Sequence, residues 1–213
     1  MRRMMVLGAA VSLLNASAAL AQTNTAVGLA LGGSYNVHTG SALQQTATGV
    51  GFVGGGQIDL TFSKSLGLLT TLYAYDNRIG KYTYTQSQNS IDYSFDVSVT
   101  LAYAGIEPLV KFIMPDDRFY FVAGPNIGFM VQGQSEINAT ITTPGYTFSN
   151  GYASQSSTAD LTDVNTRFEF TLGGGYVFKI DKISRLTTQL SVAYGLNAVQ
   201  KNPPATFGMI TIQ

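Results

Sequence analysis

The sequence contains no cysteine and a single histidine, His38. Without cysteine the chain can form no disulfide, thiolate nucleophile, or cysteine-ligated zinc or iron–sulfur site. One histidine also excludes a multi-histidine metal centre. We therefore predict no metal, no cofactor and no catalytic residue.

Charge is also scarce, since charged residues make up 11% of the sequence where a soluble globular domain has about 25%. No Asp, Glu, Lys or Arg occurs between Met4 and Ile58. A water-soluble surface is hard to build with so few charges. Because the 12 basic and 12 acidic residues balance and no basic cluster stands out, we expect no nucleic acid partner.

The first residues have the pattern of a secretory signal peptide. Arg2 and Arg3 precede an apolar run over residues 6–14, which leads into Ala19-Leu20-Ala21. The run is shorter than the roughly 20 residues of a membrane-spanning helix. The pattern predicts a signal peptide over residues 1–21, cleaved between Ala21 and Gln22, and a single domain over residues 22–213 that leaves the cytoplasm.

Apolar and polar residues alternate with period two through the mature chain. The clearest case has Phe168, Phe170 and Leu172 between Arg167, Glu169 and Thr171. Such alternation is typical of strands with one apolar face. A conflict of parity near residues 102–105 predicts a β-bulge. The predicted strands cover residues 27–37, 52–62, 66–75, 97–112, 119–132, 167–180, 185–196 and 205–213.

The connections between these strands alternate in length. The short ones are residues 64–65, 114–118 and 181–184, and the long polar ones are residues 38–49, 76–92, 133–165 and 197–204. Short turns on one side and long loops on the other are typical of bacterial outer-membrane barrels. In hydrocarbon, strands must close into a barrel because every backbone polar group has to be paired. The predicted fold is therefore all-β, an eight-stranded antiparallel transmembrane β-barrel.

The aromatic residues fall into two bands when the strands are placed side by side, as in the girdles of such barrels. The short-turn end carries Phe62, Phe112, Phe119, Phe121, Tyr176 and Phe178, and the long-loop end carries Tyr35, Phe52, Tyr75, Phe129, Phe168, Phe170 and Tyr194. The alternative is a soluble lipocalin-like barrel or sandwich with its apolar face inward. That fold needs many more charged residues on its outer face.

Two neighbouring segments carry a family resemblance. Leu101-Ala-Tyr-Ala-Gly-Ile-Glu-Pro-Leu-Val-Lys-Phe112 and the following residues 118–129 resemble the outer-membrane β-barrel domain proteins that include the PorT proteins of Bacteroidota. The matching positions are Glu107, Pro108, Lys111, Gly124, Pro125 and Gly128. Residues 172–176 and 192–197 look like later strands of that family. The resemblance implies the bacterial outer membrane and a link to secretion or envelope organisation.

The same family usually ends on an aromatic residue that the assembly machinery reads. This chain ends on Gln213, so we expect a truncated C-terminus or an atypical insertion signal.

Charged residues occupy several inward positions of the predicted strands. They are Asp59, Glu107, Lys111, Arg167, Glu169 and Lys179. Side chains fill the interior of an eight-stranded barrel, and buried charges are costly when unpaired. We interpret this set as a lumenal charge network that includes Glu107 and Arg167 together. A small-solute pore remains the alternative.

Two further motifs have a functional and a structural interpretation. His38, at the top of the first strand, could serve a lipid-modifying enzyme at the outer rim with Asp76, Asp92 or Asp96, but a triad needs geometry that a sequence does not supply. Gly49-Val-Gly-Phe-Val-Gly54 matches a nucleotide-loop spacing without the strand and helix that such a loop requires. We expect its glycines to mark bends or to make room for neighbours.

The preferred function is a non-enzymatic scaffold or interaction protein in the outer membrane. Residues 133–165 contain Glu136, Asp160 and Asp163 but no Lys or Arg. Exposed loops on rigid scaffolds often carry function. We expect membrane lipid as one partner, and envelope or secretion proteins as others through residues 133–165 or the short turns.

Overall fold

The computed structural model describes residues 24–39, 46–162, 164–181, 184–198, 208–209 and 211–212. The predicted signal peptide and the Ala21–Gln22 cleavage point lie outside these residues. Among the described residues, no helix is long and apolar enough to cross a membrane. The strands are β1 Asn24–Thr39, β2 Ala47–Thr61, β3 Leu66–Gln88, β4 Ile91–Ile113, β5 Phe119–Ile141, β6 Ser154–Asp160, β7 Arg167–Lys179, β8 Arg185–Gly195, β9 Gly208–Met209 and β10 Thr211–Ile212.

The strands form one antiparallel sheet that curls into a barrel. Strands β1 to β5 pair in chain order, β5 also pairs with β7, and β7 pairs with β8. The short β9 and β10 together make the eighth wall strand, because β9 pairs with β1 and β10 joins β8 to β1. The predicted all-β, eight-stranded antiparallel fold is confirmed.

The bulge predicted near residues 102–105 lies on the neighbouring strands and not on β4. The register between β4 and β5 shifts between Ala102 and Tyr103 with the extra residue on β5, and the register between β3 and β4 shifts between Tyr73 and Asp76 with the extra residue on β3. A bulge changes which alternate residues face the lumen. It therefore brings Asp76 and Arg78 to the inner face of β3, where both are fully buried.

The predicted alternation of apolar and polar residues matches the outer and inner faces of the barrel strands. On β7, Phe168 and Phe170 are exposed on the outer face while Arg167 and Glu169 are buried inside. The other aromatics of the two predicted bands also lie exposed on the outer face, except Tyr176, which is half-buried. The outer face is therefore apolar with aromatic residues near both ends.

The prediction that residues 76–92 and 133–165 are loops is wrong for most of their length. β3 continues to Gln88 and β4 begins at Ile91, joined through Asn89 and Ser90 with φ of 53° and 64°. Positive φ at both central residues is the requirement of a two-residue type I′ hairpin turn. β5 likewise extends to Ile141 and pairs with β6. The polar composition indicates exposure to water here, not the absence of strands.

Side chains close the lumen near the short-turn end. An apolar layer packs there across four strands of the barrel, formed by Leu69, Leu109, Tyr120, Val122 and Val177. A second apolar cluster around Leu101 and Tyr103 lies toward the other end. Charged side chains lie above the first layer and level with the second cluster, since Asp76 and Arg78 are the register partners of Tyr103 and Leu101.

Candidate functional site

A cluster of four charged side chains occupies the middle of the lumen. The Arg78 guanidinium donates to both oxygens of Asp76, at 2.6 and 2.8 Å. Arg167 Nη2 lies 2.7 Å from Asp76 Oδ2, and Arg167 Nε lies 3.3 Å from Glu169 Oε2. All four residues are at most 1% exposed. Two guanidinium groups and two carboxylates therefore balance inside the barrel, as buried charges require.

Glu107 lies in a neighbouring cradle of neutral donors. Its carboxylate accepts hydrogen bonds from Thr171 Oγ1 at 2.8 Å, from Asn126 Nδ2 at 3.1 Å and from the Tyr73 hydroxyl. Asn126 Oδ1 in turn accepts from Arg167 Nη2 at 3.0 Å. The structure thus connects Glu107 to Arg167 through Asn126 and not by direct contact.

Two neighbours hold the Arg167 guanidinium in position. Its central carbon lies 4.6 Å from the ring centre of Tyr103, a cation–π distance. A Cβ on Gly128 would lie 3.2 Å from the same group. The missing side chain at Gly128 therefore leaves the space that the guanidinium occupies.

The remaining predicted lumenal charges lie apart from this cluster. Lys111 Nζ contacts Asp59 Oδ2 at 2.5 Å, near Tyr120 of the apolar layer. Lys179 is exposed at the short-turn end of β7. The structure therefore divides the predicted set into a central cluster, one ion pair and an exposed lysine.

Sequence reasoning left Asp76 and Arg78 out of the lumenal set because it placed both in a loop. Continued alternation beyond Tyr73, after a shift of one residue, was the signal that could have placed them inside. Asn126 and Tyr73 were missed because their role depends on which strands are neighbours.

The candidate acids of His38 are engaged with other side chains. His38 is 2% exposed, packs against Gly80 and forms a hydrogen bond with the backbone of Ile79. The Asp76 oxygens bind Arg78 and Arg167. Asp92 and Asp96 accept hydrogen bonds from Ser87 and Thr83. The structure places His38 as a packed lumenal residue.

The Gly49–Gly54 segment lies in β2, and its glycines permit close strand packing. A Cβ on Gly49 would lie 2.4 Å from the Ile79 carbonyl oxygen, and one on Gly51 would lie 1.9 Å from that of Asn77. No helix follows, so the segment has no context for a phosphate loop. Among the described residues, no group of three or more His, Cys, Asp or Glu is placed to hold a metal ion.

Comparison with known proteins identifies the family to which this barrel belongs. Residues 20–200 match the family described as outer membrane protein beta-barrel domain. The chain belongs to that family. Its location is therefore the bacterial outer membrane, with the short turns in the periplasm and the long hairpins outside.

The other comparisons are more distant. A search of curated proteins finds no match. Among solved structures, the crystal structure of Ail, the attachment invasion locus protein of Yersinia pestis, is similar at 10% identity and a TM-score of 0.38, covering 87% of this chain and 93% of that chain. Ail in complex with the heparin analogue sucrose octasulfate gives 11% identity and a TM-score of 0.35, covering 87% and 94%.

This outer-membrane barrel carries a raised sheet above its outer rim. We use that name for residues 82–88 of β3, 91–99 of β4, 134–141 of β5 and all of β6, which pair side by side. β3 and β4 each run for 23 residues, whereas a barrel strand needs about 9–11 residues to cross the membrane. Their outer halves therefore stand in water.

The polarity of the two faces reverses in the raised sheet. Below, the inner face carries charges such as Arg78 and the outer face carries apolar residues such as Val110. Above, most of the alternate residues continuing inward from Gly80 are apolar or aromatic, although Gln86 and Gln88 also lie on this face. The outward residues are hydroxylated, amide or acidic. The inward set includes Tyr82, Tyr84, Tyr93, Phe95, Val97, Ile137 and Ile141, and the outward set includes Thr83, Thr85, Asp92, Ser94, Asp96, Glu136 and Asn138.

Aromatic rings form a continuous row on the inner face. The centroid distances are 6.0 Å between Tyr82 and Tyr84, 4.9 Å between Tyr84 and Phe95, and 6.2 Å between Phe95 and Tyr93. Phe148 extends the row at 6.3 Å from Tyr93. Partial burial raises the pKa of the Tyr82 hydroxyl, with a further contribution from Tyr84.

One edge of the raised sheet has no partner among the described strands. β2 pairs with β3 only as far as Lys81, so Tyr82 to Gln88 pair with β4 alone. This edge reads Tyr-Thr-Tyr-Thr-Gln-Ser-Gln. Proteins usually protect exposed edges with charges, prolines or bulges, and this segment has no charged residue and no proline.

Proposed function

We propose that the protein is a non-enzymatic interaction protein of the outer membrane that captures an extended segment of a partner protein at the Tyr82–Gln88 edge. The edge, unpaired among the residues that the structure describes, is the observation that carries this proposal. Its backbone N–H and C=O groups can extend the sheet by one strand, a common mode of peptide recognition.

The partner is a different protein and not a second copy in the same membrane. Every copy inserts with β3 rising outward, so two copies present this edge in the same direction. Antiparallel pairing of two β3 edges would require one barrel to be inverted. A segment that reaches the cell surface from outside or by secretion has no such restriction.

The side chains beside the edge define the chemistry of the captured segment. Tyr82 and Tyr84 flank it on the inner face, and Thr83 and Thr85 flank it on the outer face. A strand with apolar or aromatic residues at alternate positions would pack against the tyrosines and place polar residues beside the threonines. The absence of charge along the edge fits a segment that is itself uncharged.

The rest of the barrel supports a scaffold role. The lumen contains ion pairs and apolar clusters, and the acids that a rim enzyme would need beside His38 are bound to other side chains. The resemblance to PorT-like proteins links the proposal to secretion or envelope organisation, since a secreted chain emerging at the surface presents extended segments.

Photo-crosslinking in intact cells tests this function. A photoreactive amino acid at Ser87 should give an adduct with another protein, and Thr85→Lys should abolish it by placing a charge beside the added strand. Ser94→Lys is the matched control, because Ser94 is the cross-strand partner of Thr85 on the same face of an interior strand. Equal adducts in both variants, or adducts only between copies of the chain, would overturn the proposal.

A further inference from the structure

The periplasmic mouth of the barrel contains two positive charges directly opposite each other. Lys179 at the end of β7 is the register partner of Arg185 at the start of β8. Both share the inward parity of buried Val177 and are exposed where the lumen opens. Like charges at directly opposed positions of a sheet destabilise it, so this pair needs a compensating interaction.

The same mouth is concave and has an excess of positive charge. A cavity of about 280 Å³ is lined by Lys179, Arg185 and, from the β2–β3 turn, Lys64. Asp117 is the one acidic residue among the described lining residues. Lys64, Lys179 and Arg185 form no ion pair with any residue that the structure describes.

The fourth cation inside the cavity is already neutralised. Lys111 lies at the base of the cavity and is paired with Asp59. Arg118, at the rim, donates a hydrogen bond from Nη1 to the Tyr176 hydroxyl at 3.2 Å. Because a tyrosine hydroxyl carries no charge, the uncompensated positive charge lies on Lys64, Lys179, Arg185 and, at the rim, Arg118.

We propose that this mouth is a binding site for a phosphate group, held between Lys179 and Arg185 with Lys64 as a third donor. An anion between the two opposed cations would replace their repulsion by two charge-assisted contacts. The planar guanidinium of Arg185 matches phosphate geometry in two parallel hydrogen bonds, and ammonium groups bind phosphate as point charges.

The cavity lies at the periplasmic surface of the membrane, where two kinds of molecule can supply the phosphate group. Phe62 and Phe119 line the same cavity and belong to the periplasmic aromatic band, which lies at the membrane surface. The phosphate can therefore come from a phospholipid headgroup of the inner leaflet or from a soluble phosphorylated compound of the periplasm.

Calorimetry with inorganic phosphate tests the site on the full-length barrel in a non-ionic detergent. Lys179→Gln and Arg185→Gln should each weaken binding about tenfold, since each removes a charge-assisted hydrogen bond. Lys81→Gln is the matched control, because it removes a cation from the extracellular side. Equal affinity in all four proteins would overturn the proposal.

Thermal unfolding separates a binding role from a structural one. Without phosphate, Lys179→Gln should unfold at the same temperature as the parent chain or higher, because it relieves repulsion. With phosphate, the parent should gain stability and the Lys179→Gln/Arg185→Gln double variant should not. If the double variant gains as much, or if chloride at matched ionic strength has the same effect, the site does not bind phosphate.

Bilayer nanodiscs distinguish the two sources. If the headgroup is the ligand, phosphate binding should be weaker in phospholipid discs than in the non-ionic detergent, which carries no phosphate. If a soluble compound is the ligand, phosphate should bind equally in the discs and in the detergent.

Discussion

At the residue scale, Asn126 joins the two halves of the lumenal network through hydrogen bonds to Glu107 and Arg167. We expect Glu107→Ala and Arg167→Ala to be non-additive, with a coupling energy of about 0.5–3 kcal/mol. Arg167→Ala alone should cost about 3–5 kcal/mol, since it leaves buried carboxylates without a partner. Denaturant unfolding in detergent, monitored by circular dichroism, gives the free energies of unfolding of the two single variants and of the double variant.

The control for this coupling is a pair that shares no contact. Lys111 is bound to Asp59 and lies beside the apolar layer, so Lys111→Ala and Arg167→Ala should be additive within about 0.5 kcal/mol. Additive losses for the Glu107 and Arg167 pair as well would show that Asn126 transmits no coupling.

Gly128 is a second residue on which the network depends. Gly128→Ala would place a methyl group 3.2 Å from the Arg167 guanidinium, and overpacking of this kind costs about 1–3 kcal/mol. Gly28→Ala is the control, because a Cβ on Gly28 meets nothing within 4 Å. The free energies of unfolding of the two variants should differ accordingly, and equal values would mean that Arg167 moves aside freely.

The sequence predicted individual inward charges better than it predicted their partners. Alternation along one strand is enough to place Arg167 and Glu169 inside. It does not reveal Asp76, because a bulge shifts the parity of β3 before that residue. Nor does it reveal that Asn126 lies between Glu107 and Arg167, since that depends on pairing among β4, β5 and β7.

At the element scale, the membrane-spanning parts of the strands were predicted and their outer ends were not. Lipid contact forces the outer face to be apolar, which gives the alternation a strong signal. Above the membrane that requirement ends, and Thr, Ser and Asp take the outward positions of β3 and β4. Polar strands in water resemble loops in composition, so residues 76–92 were assigned as a loop.

The middle of β7 offers a direct test of the lipid-facing surface. Leu172 is 55% exposed and lies midway between the two aromatic bands. Leu172→Lys should cost about 2–4 kcal/mol in lipid bilayers, as expected for a lysine at the midplane. Thr158→Lys, on the exposed β6 of the raised sheet, should change stability by less than about 0.5 kcal/mol. A small loss at Leu172 in urea titrations from liposomes would contradict the assignment of this face to lipid.

At the scale of the whole molecule, one apolar layer and, above it, a charge cluster packed against a second apolar cluster obstruct the lumen. The layer around Leu69 and Tyr120 closes the periplasmic side, and the cluster around Leu101 and Tyr103 lies toward the outside. We expect conductance at background level in planar bilayers, because a continuous water path would require these layers to separate. Stepwise currents from the purified protein would show that the lumen opens.

The spacing of the two aromatic bands sets the bilayer that suits this barrel. On β7 they are separated by the ten residues from Phe168 to Phe178, which is about 33 Å along a strand and about 25 Å along the membrane normal at a tilt near 40°. Outer membranes are thinner than average, and each ångström of hydrophobic mismatch has a cost. Folding yield should therefore fall as acyl chains lengthen, so that lipid thickness by itself would favour insertion into the outer membrane over thicker membranes.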